Sequence, residues 1–214
     1  MISNSNKETR QLLSFIKKVH RELLEMWDWQ ILTEEQTFTT DGTGSYSFTD
    51  IITDGDYERP VTETEWDRSN EKKIQIVTPA EWQYLKSGIV SNLGIYRWAR
   101  VRGGNLIITP DESGDTLVLE YISSFYAKDS GGTKKATFTA DTDQSRFQEN
   151  LIEMGLKAYL KSEYGLPAEE DFDKYYDSAQ KLIAQERPLK VIRPQRGVYK
   201  SQFVVNIPDT GAGA

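Results

Sequence analysis

The chain has 214 residues, no cysteine and a formal net charge of −7. The lack of cysteine excludes disulfides, thiolate zinc sites and cysteine nucleophiles. No run of about 18 apolar residues could cross a bilayer, and the first residues, MISNSNKETR, lack the apolar centre of a secretion signal, so we expect a soluble, unexported protein that contacts no membrane.

The charge is distributed unevenly along the chain. Residues 187–214 contain five basic residues and one acidic residue, a net charge of +4, so residues 1–186 carry −11. Sequence-neutral binding of nucleic acid rests on Lys and Arg side chains that neutralise phosphates. We therefore expect the acidic body to repel nucleic acid. The basic C-terminal stretch is either a solvated segment or a contact segment.

The first predicted element is an amphipathic helix over residues 9–27. Its apolar stripe, at alternating spacings of four and three, consists of Leu12, Ile16, Val19, Leu23 and Met26. Beyond Trp29 the residues become mostly β-formers. Two indoles two residues apart cannot share one helical face, so we predict that the helix ends between Trp27 and Trp29. These residues then form the helix-to-strand junction, with their rings packed against different layers.

The middle of the chain predicts a mostly antiparallel β module. Thr78-Pro79-Ala80-Glu81 predicts a short helix whose first turn is capped reciprocally by Thr78 and Glu81. Two strand-like runs meet at Gly103-Gly104, which predicts a tight hairpin. Further strands are predicted at 46–48 and 116–122.

Residues 145–186 predict an antiparallel helix pair. We expect Asp143 or Ser145 to cap the first helix, and Gly165-Leu166-Pro167 to end it and restart the chain. Acidic residues at 169–171 suit the positive end of the second helix dipole. The predicted buried stripe of the second helix is Phe172, Tyr175, Tyr176, Ala179, Leu182 and Ile183.

Together these elements predict an α+β fold. An antiparallel helical bundle forms from the N-terminal helix, residues 1–30, and from residues 128–186, which contain a loop and the C-terminal helix pair. The mostly antiparallel β module, residues 31–127, is inserted between them. Residues 187–214 form an extended C-terminal arm, because prolines at 188, 194 and 208 forbid a long helix there.

No pattern in the sequence indicates an active site. A Ser-His-Asp triad would need His20, the only histidine, which lies beside the apolar stripe of a helix. Residues 141–149 imitate the start of a calcium loop, but Arg146 replaces the turn glycine and Ile152 the final glutamate. Gly42-Thr43-Gly44 lacks the third glycine of a dinucleotide loop. We expect no enzyme, no cofactor and no metal.

Four segments in a fixed order carry a family resemblance. They are LLEMWDWQILTEEQTFTT (23–40), TPAEW (78–82), IYRWARVRGGNLIITPDESGDTLVLEYIS (95–123) and FQENLIEMGLKAYLKSEYGLPAEEDFDKYYDSAQKLI (147–183). In this order they resemble the head-to-tail adaptor (connector or neck) proteins of tailed bacteriophages. The resemblance extends from about residue 10 to residue 186.

The resemblance implies a structural virion protein that is assembled in the host cytoplasm and located in the neck. Such adaptors form a ring, expected here to have twelve subunits, on the portal protein. The ring extends the channel through which double-stranded DNA passes without specific binding, and it supports tail or nozzle proteins. Family members use terminal segments to grip the portal or a neighbouring subunit. The residues expected to make this contact are Arg187, Lys190, Arg193, Arg196, Tyr199, Lys200 and Phe203.

Two other classes of protein stay open. Trp66, Trp82 and Trp98 could form a sugar-binding platform, as in a carbohydrate-binding accessory module of a phage tail, although core and interface packing also explains them. A small glycosidase would need two carboxylates at a fixed separation, and the 33 acidic residues offer many pairs.

Overall fold

The computed structural model describes residues 7–87 and 97–186. The fold is mixed α+β, as predicted. The α-helices are α1 Lys7–Met26, α2 Phe48–Ile51, α3 Pro79–Lys86, α4 Glu149–Glu163 and α5 Glu169–Glu186, and a 3-10 helix, Gln30–Leu32, follows α1. In the part of the chain that the structure describes, no helix is long and apolar enough to traverse a lipid bilayer.

The strands form three sheets. They are β1 Thr33–Thr39, β2 Ser45–Ser47, β3 Tyr57–Pro60, β4 Trp66–Asp67, β5 Lys72–Lys73, β6 Gln75–Ile76, β7 Trp98–Arg102, β8 Asn105–Thr109, β9 Thr116–Ser123, β10 Ala127–Lys128, β11 Lys134–Lys135 and β12 Gln144–Ser145. The first sheet has the order β1-β9-β4-β5, with β3 also paired to β9. The second is β2-β8-β7-β6 and the third is β11-β10-β12.

Most strand pairs are antiparallel, which confirms the predicted character of the β region. The described exception is β6 with β7, which run parallel. The hairpin predicted at Gly103-Gly104 joins β7 to β8, and both glycines have positive φ, 60° and 77°. A two-residue turn with positive φ at both positions matches the twist of the strands that it connects, and glycine adopts this conformation without strain.

The predicted capping box starts α3. The Glu81 carboxylate accepts a hydrogen bond from the Thr78 backbone amide at 2.8 Å, and the Thr78 hydroxyl accepts one from the Glu81 amide. Two amides that lack intrahelical partners are thereby satisfied. The sequence prediction at this position is confirmed.

Side chains from α1, α4 and α5 share one buried core. Val19 and Leu23 of α1, Leu151 of α4 and Tyr175 of α5 belong to the same cluster, together with Ile122 of β9. A second core lies between the first two sheets and includes Phe48, Leu106, Leu117 and Leu119. The helices at the two ends of the described chain therefore bury their apolar sides together.

The start of α4 differs from the prediction. The helix begins at Glu149 rather than near 145, and its N-cap residue Gln148 makes no side-chain capping bond. Asp143 does not cap it, because its carboxylate accepts hydrogen bonds from the Thr139 and Ala140 amides at 2.7 and 2.9 Å. Ser145 does not cap it either, because its hydroxyl lies 2.8 Å from His20 Nε2.

Three smaller predictions also need correction. The strand predicted at 46–48 ends at Ser47, since Phe48 opens α2 and is buried in the core between the sheets. Residues 128–144, predicted as a loop, contain strands of the third sheet. Tyr176, predicted as buried, is 36% exposed because its hydroxyl reaches outward to the Glu22 carboxylate at 2.6 Å.

Candidate interaction site at the helix-to-strand junction

Trp27 and Trp29 lie between the end of α1 and the start of β1. The predicted helix end was wrong, because α1 stops at Met26, before both tryptophans. The prediction that the rings face different layers was also wrong, since both pack against the helical core. The physical reason is that α1 ends before Trp27 and the chain is extended at Trp29, so helical spacing does not determine where the two rings point.

The Trp29 side chain anchors this junction to the helices. It is 2% exposed, and its indole Nε1 donates a hydrogen bond to the Leu23 carbonyl of α1 at 2.6 Å. Its ring meets the Phe147 ring edge-on at 5.5 Å, just before α4. A buried indole with its N–H satisfied contributes its full apolar area to the core. The junction is therefore held on two helical elements.

Arg59 of β3 ties the junction to the first sheet. Its Nε donates to the Asp28 carboxylate at 2.9 Å, and a terminal nitrogen donates to the Trp27 carbonyl at 2.9 Å. The guanidinium therefore satisfies a backbone carbonyl just beyond the end of α1, where helices leave such groups without intrahelical partners.

Arg146 bonds to residues at the start of β1. Its guanidinium donates to the Phe125 carbonyl at 3.0 Å, to the Ile31 carbonyl, and to the Glu34 carboxylate at 2.8 Å. Lys134 lies 2.7 Å from the same Glu34 oxygen. The first residues of β1 are thus held rigidly by two cations of the segment between β10 and α4.

The last turn of α5 ends beside the same junction. The Gln30 backbone amide donates to a Glu186 carboxylate oxygen at 3.2 Å, and the Gln30 side-chain amide donates to the Glu186 carbonyl at 3.4 Å. Glu186 is the last described residue before the predicted arm. The C-terminal end of α5 therefore contacts the chain three residues before the beginning of β1.

One edge of β1 pairs with no strand of residues 7–87 and 97–186. Within the described chain β1 pairs only with β9. The Thr40 amide donates to the Asp115 carbonyl at 2.9 Å, and hydrogen-bonded pairs recur at every second residue of an antiparallel ladder. The register of β1 and β9 then directs the backbone groups of Gln36 and Phe38 toward β9. The N–H and C=O groups of Glu35, Thr37 and Thr39 point away from it.

The hydrogen bonds on the opposite side of β9 agree with these directions of the backbone groups. The Val61 and Arg68 amides donate to the Glu120 and Thr116 carbonyls, each at 2.9 Å. The even-numbered residues of β9 therefore direct their backbone groups to β3 and β4, and its odd-numbered residues direct theirs to β1. β9 is a central strand, and β1 is a seven-residue edge.

The three tryptophans considered as a sugar platform do not come together. Trp66, in β4 of the first sheet, is 39% exposed. Trp82 is 6% exposed, and Trp98 packs against the same small cluster as Trp82, beside Val77 and Leu85. Two of the three rings therefore serve the core around α3. A single exposed indole does not make an aromatic platform.

His20 lies in the core and is not part of a catalytic triad. It is fully buried, and burial lowers its pKa to about 4. Nδ1 lies 2.7 Å from the Ile16 carbonyl, so it carries the proton and donates, while Nε2 accepts from the Ser145 hydroxyl. Ser145 in turn accepts from the Phe147 amide at 3.0 Å. This chain of bonds fits a neutral imidazole with a structural role.

In the segment that imitates a calcium loop, the Asp143 carboxylate already accepts hydrogen bonds from protein groups. The Lys135 ammonium makes the largest contribution in holding the pKa of the Asp143 carboxyl well below its usual range. Hydrogen bonds from the Thr139 and Ala140 amides act in the same direction. No group of three or more His, Cys, Asp or Glu side chains suited to a metal ion occurs in residues 7–87 and 97–186.

An exposed apolar area lies near the N-terminal end of α1, away from the junction. Leu12 is 40% exposed and Tyr164, just after α4, is 69% exposed. Both line a shallow cavity of about 250 Å³ with Leu160. This area and the junction are separated by the length of the helices.

The residues predicted to make the portal or inter-subunit contact lie outside the described part of the chain. They are Arg187, Lys190, Arg193, Arg196, Tyr199, Lys200 and Phe203. Sequence reasoning identified Trp27 and Trp29 at the junction but missed Arg59, Arg146 and Glu186. These three side chains are distant in sequence from the residues that they bond, so no local pattern indicates them.

Comparison with known proteins adds no family assignment. No protein-family model matches the chain. No curated protein matches it either.

Proposed function

We propose that the protein is a structural virion component, a head-to-tail adaptor that forms a ring between the portal and the tail of a tailed bacteriophage. The observation that carries this proposal is the order of parts. A helix at one end of the described chain and two helices at the other share a core, and the β region lies between them. The adaptor family that the sequence resembles has the same order of helix, β module, helix pair and terminal segment.

The finer architecture belongs to the same proposal. We infer an antiparallel three-helix bundle of α1, α4 and α5, with residues 31–127 as an inserted module and residues 187–214 as an extended arm. The Glu22 carboxylate of α1 supports it, since it accepts hydrogen bonds from Tyr159 of α4 and Tyr176 of α5 at 2.8 and 2.6 Å. One carboxylate thus joins all three helices.

The proposed partners are the portal, tail or nozzle proteins and further copies of the chain, expected to number twelve in the ring. The arm follows Glu186, which bonds Gln30 at the junction. A partner that captures the arm is therefore brought to the rigid junction. The arm carries +4 and the rest of the chain −11, so arm and body attract each other across a subunit boundary.

Exposed carboxylates on α5 support the proposal that DNA passes without binding. Glu169, Asp173 and Asp177 are exposed and four residues apart, so they lie on one face of the helix. A wall that presents such a row repels phosphates. Duplex DNA can then slide past it, as a channel through the neck requires.

Deletion of residues 187–214 tests the proposal. We expect thermal unfolding of the isolated chain to be nearly unchanged, because the described cores are built from residues that precede the arm, while attachment to portal rings of the source virus is lost. Electron microscopy and sedimentation of mixtures with portal rings measure the attachment. The full chain should be a monomer or weak oligomer alone and a closed ring on the portal.

A shorter deletion provides the matched control. Removing residues 210–214, TGAGA, takes away no charged or large apolar residue of the arm, and attachment should persist. If the chain that lacks residues 187–214 assembles on portals with full affinity, the arm is not the assembly element.

A further inference from the structure

The open edge of β1 is a pairing template. Glu35, Thr37 and Thr39 are exposed, and their backbone groups point away from β9. Within the described residues, only the Thr37 carbonyl among these groups has a partner, the Gln36 side-chain amide of the same strand at 3.0 Å. An edge with unpaired N–H and C=O groups accepts a further strand readily.

The sequence outside the described residues contains a segment suited to such pairing. Residues 198–207 read VYKSQFVVNI, in which six of ten residues are Val, Ile, Tyr or Phe. Such residues favour strands. The segment contains Lys200 and no acidic residue, whereas β1 begins with Thr33 followed by two glutamates. Sequence and charge both suit addition of this segment to β1.

The connection between the end of α5 and this segment is long enough to reach a neighbouring copy. Eleven residues, 187–197, separate Glu186 from residue 198, and two of them are prolines. In a polyproline-like conformation they span roughly 30 Å at about 3.1 Å per residue. The start of β1 lies three residues from Gln30, which Glu186 already contacts. This length reaches a neighbouring copy as well as the far end of the chain's own β1, so the chain with two cysteines described below decides between them.

We propose that residues 198–207 of one copy pair as an added strand with the open edge of β1 in a second copy. This inference rests on the proposed assembly of the protein into a ring, and it identifies the site at which the arm docks. Main-chain hydrogen bonds to Glu35, Thr37 and Thr39 then provide the affinity, as in other cases of strand addition. The alternating side chains of the segment determine the register.

Cysteine trapping tests this pairing, because the chain has no cysteine of its own. Thr37→Cys in one preparation is mixed with a second preparation that carries one cysteine at each position from 200 to 206 in turn. Directly opposed residues of paired strands lie close enough for a disulfide. We expect heterodimers on oxidation at alternate positions of the series, since side chains of a strand alternate between faces.

The control variant is Ser162→Cys on the exposed surface of α4, which should form no heterodimer with the same series. The docking site is wrong if no position reacts with Thr37→Cys at the highest attainable concentration, or if Ser162→Cys reacts equally well. A chain that carries both Thr37→Cys and a cysteine at a reactive arm position decides whether the arm pairs with its own β1 or with the β1 of another copy. An intramolecular disulfide in a monomer would overturn pairing between copies.

A proline variant tests the backbone contact directly. Thr37→Pro removes an N–H that β9 does not use, and proline is tolerated at such edge positions. We expect the self-association of Thr37→Pro to be at least about tenfold weaker than that of Thr37→Ala. This corresponds to a loss of about 1.4 kcal/mol of binding free energy. Thermal unfolding verifies that both variants fold. Equal self-association of the two variants would contradict strand addition.

These measurements use the protein alone, whereas the deletion of residues 187–214 is measured on portals. If the deletion abolishes attachment but the cysteine series shows no alternate pattern, the docking site is wrong and the adaptor function stands. If the series shows the pattern and the deletion leaves portal attachment intact, strand pairing stands and the assembly role of the arm is wrong.

Discussion

At the scale of single residues, Gly155 permits close packing of the three longest helices. It is a buried glycine in the interior of α4. A Cβ atom there would lie 2.9 Å from a methyl carbon of Val19 and 3.1 Å from the Tyr175 ring. Real Cβ contacts are not this short, so one of the neighbours would have to move. Both neighbours are fully buried and have little room.

Gly155→Ala should therefore destabilise the protein although alanine favours helices. The gain in helix propensity is about 1 kcal/mol, and overpacking of a tight core typically costs about 1–3 kcal/mol. We expect a net loss of about 1 kcal/mol in the free energy of unfolding, measured by urea denaturation. Ser162→Ala, on the exposed surface of α4, should cause no loss.

A second substitution identifies the cause. If the overlap with Val19 is responsible, the pair Gly155→Ala and Val19→Ala should lose less stability than the sum of the two single changes. Additive losses would show that the overlap is not the source of the effect.

His20 makes stability depend on pH. Its pKa is about 4 in the folded protein because burial disfavours the charged imidazolium, against 6.5 for an exposed histidine. Between these values the unfolded chain binds the proton and the folded chain does not, so stability rises with pH across this window. Lys17 and Arg21 line the cavity beside the imidazole.

We expect the free energy of unfolding to fall as the pH is lowered from 6.5 to 4. The part due to His20 amounts to at most about 3 kcal/mol, since one pKa unit corresponds to about 1.4 kcal/mol. Urea denaturation of the natural chain and of His20→Gln across this range measures it, because carboxylates contribute equally to both. Parallel pH profiles of the two chains would refute the assignment.

At the scale of elements, buried charges join the first two sheets. Arg97, just before β7, lies 2.9 Å from the Asp67 carboxylate of β4 and also bonds Asp115, just before β9. The Arg97 and Asp67 side chains are 8% and 2% exposed. Asp67 also accepts two hydrogen bonds from Asn70, at 2.9 and 3.0 Å. Removal of the guanidinium would leave a buried carboxylate without its cation.

Arg97→Met should cost about 3–5 kcal/mol, the usual effect of breaking a buried ion pair by removing one partner. Arg68→Met is the matched control, because Arg68 and Glu35 are both more than half exposed and 3.5 Å apart. Such a surface pair contributes less than about 1 kcal/mol. Thermal and urea unfolding compare the two variants.

A further variant separates charge from packing. Adding Asp67→Asn to Arg97→Met removes the stranded charge and keeps the shape of the side chain, so part of the loss should be recovered. If nothing is recovered, the effect of Arg97 comes from its packing.

Elements with local signals were predictable from the sequence. The capping box at Thr78 and the turn at Gly103-Gly104 are determined by residues within four positions of each other, so their patterns are visible in the chain. The start of α4 was misjudged because Asp143 and Ser145 are good capping residues whose side chains bond elsewhere, to Lys135 and His20. Such tertiary bonds override local preference.

The candidate site could be predicted only in part. Trp27 and Trp29 were recognised because a helical period gives way to β-formers at that point. The open edge of β1 depends on strand order, which a single sequence does not reveal. The bond between Gln30 and Glu186 joins residues 156 positions apart, and the Arg97 cluster likewise joins distant segments. Long-range contacts of this kind leave no periodic trace in a sequence.

At the scale of the whole molecule, the acidic charge of the body leads to a prediction about DNA. Because residues 1–186 carry −11, the chain that lacks residues 187–214 should bind duplex DNA weakly even at low salt. Electrophoretic mobility measured across a series of salt concentrations tests this. We expect almost no dependence on salt, since a body with an excess of carboxylates does not displace the counterions of DNA.

Charge reversal on α5 provides the comparison. Changing Glu169, Asp173 and Asp177 to Lys should raise DNA affinity and introduce a clear salt dependence. Tight, salt-sensitive binding by the unmodified body would contradict a channel through which DNA passes freely.

From the shared core of α1, α4 and α5 we infer an order of folding. Val19 and Leu23 find their partners in Leu151 and Tyr175, more than 120 positions later in the chain. Closing so long a loop carries a large entropy cost, which is smaller once the intervening sheets are compact. During synthesis α1 emerges early with its apolar stripe uncovered. We therefore expect α1 to be among the last of the described elements to be buried, and the nascent chain to remain prone to aggregation until α4 and α5 have been made.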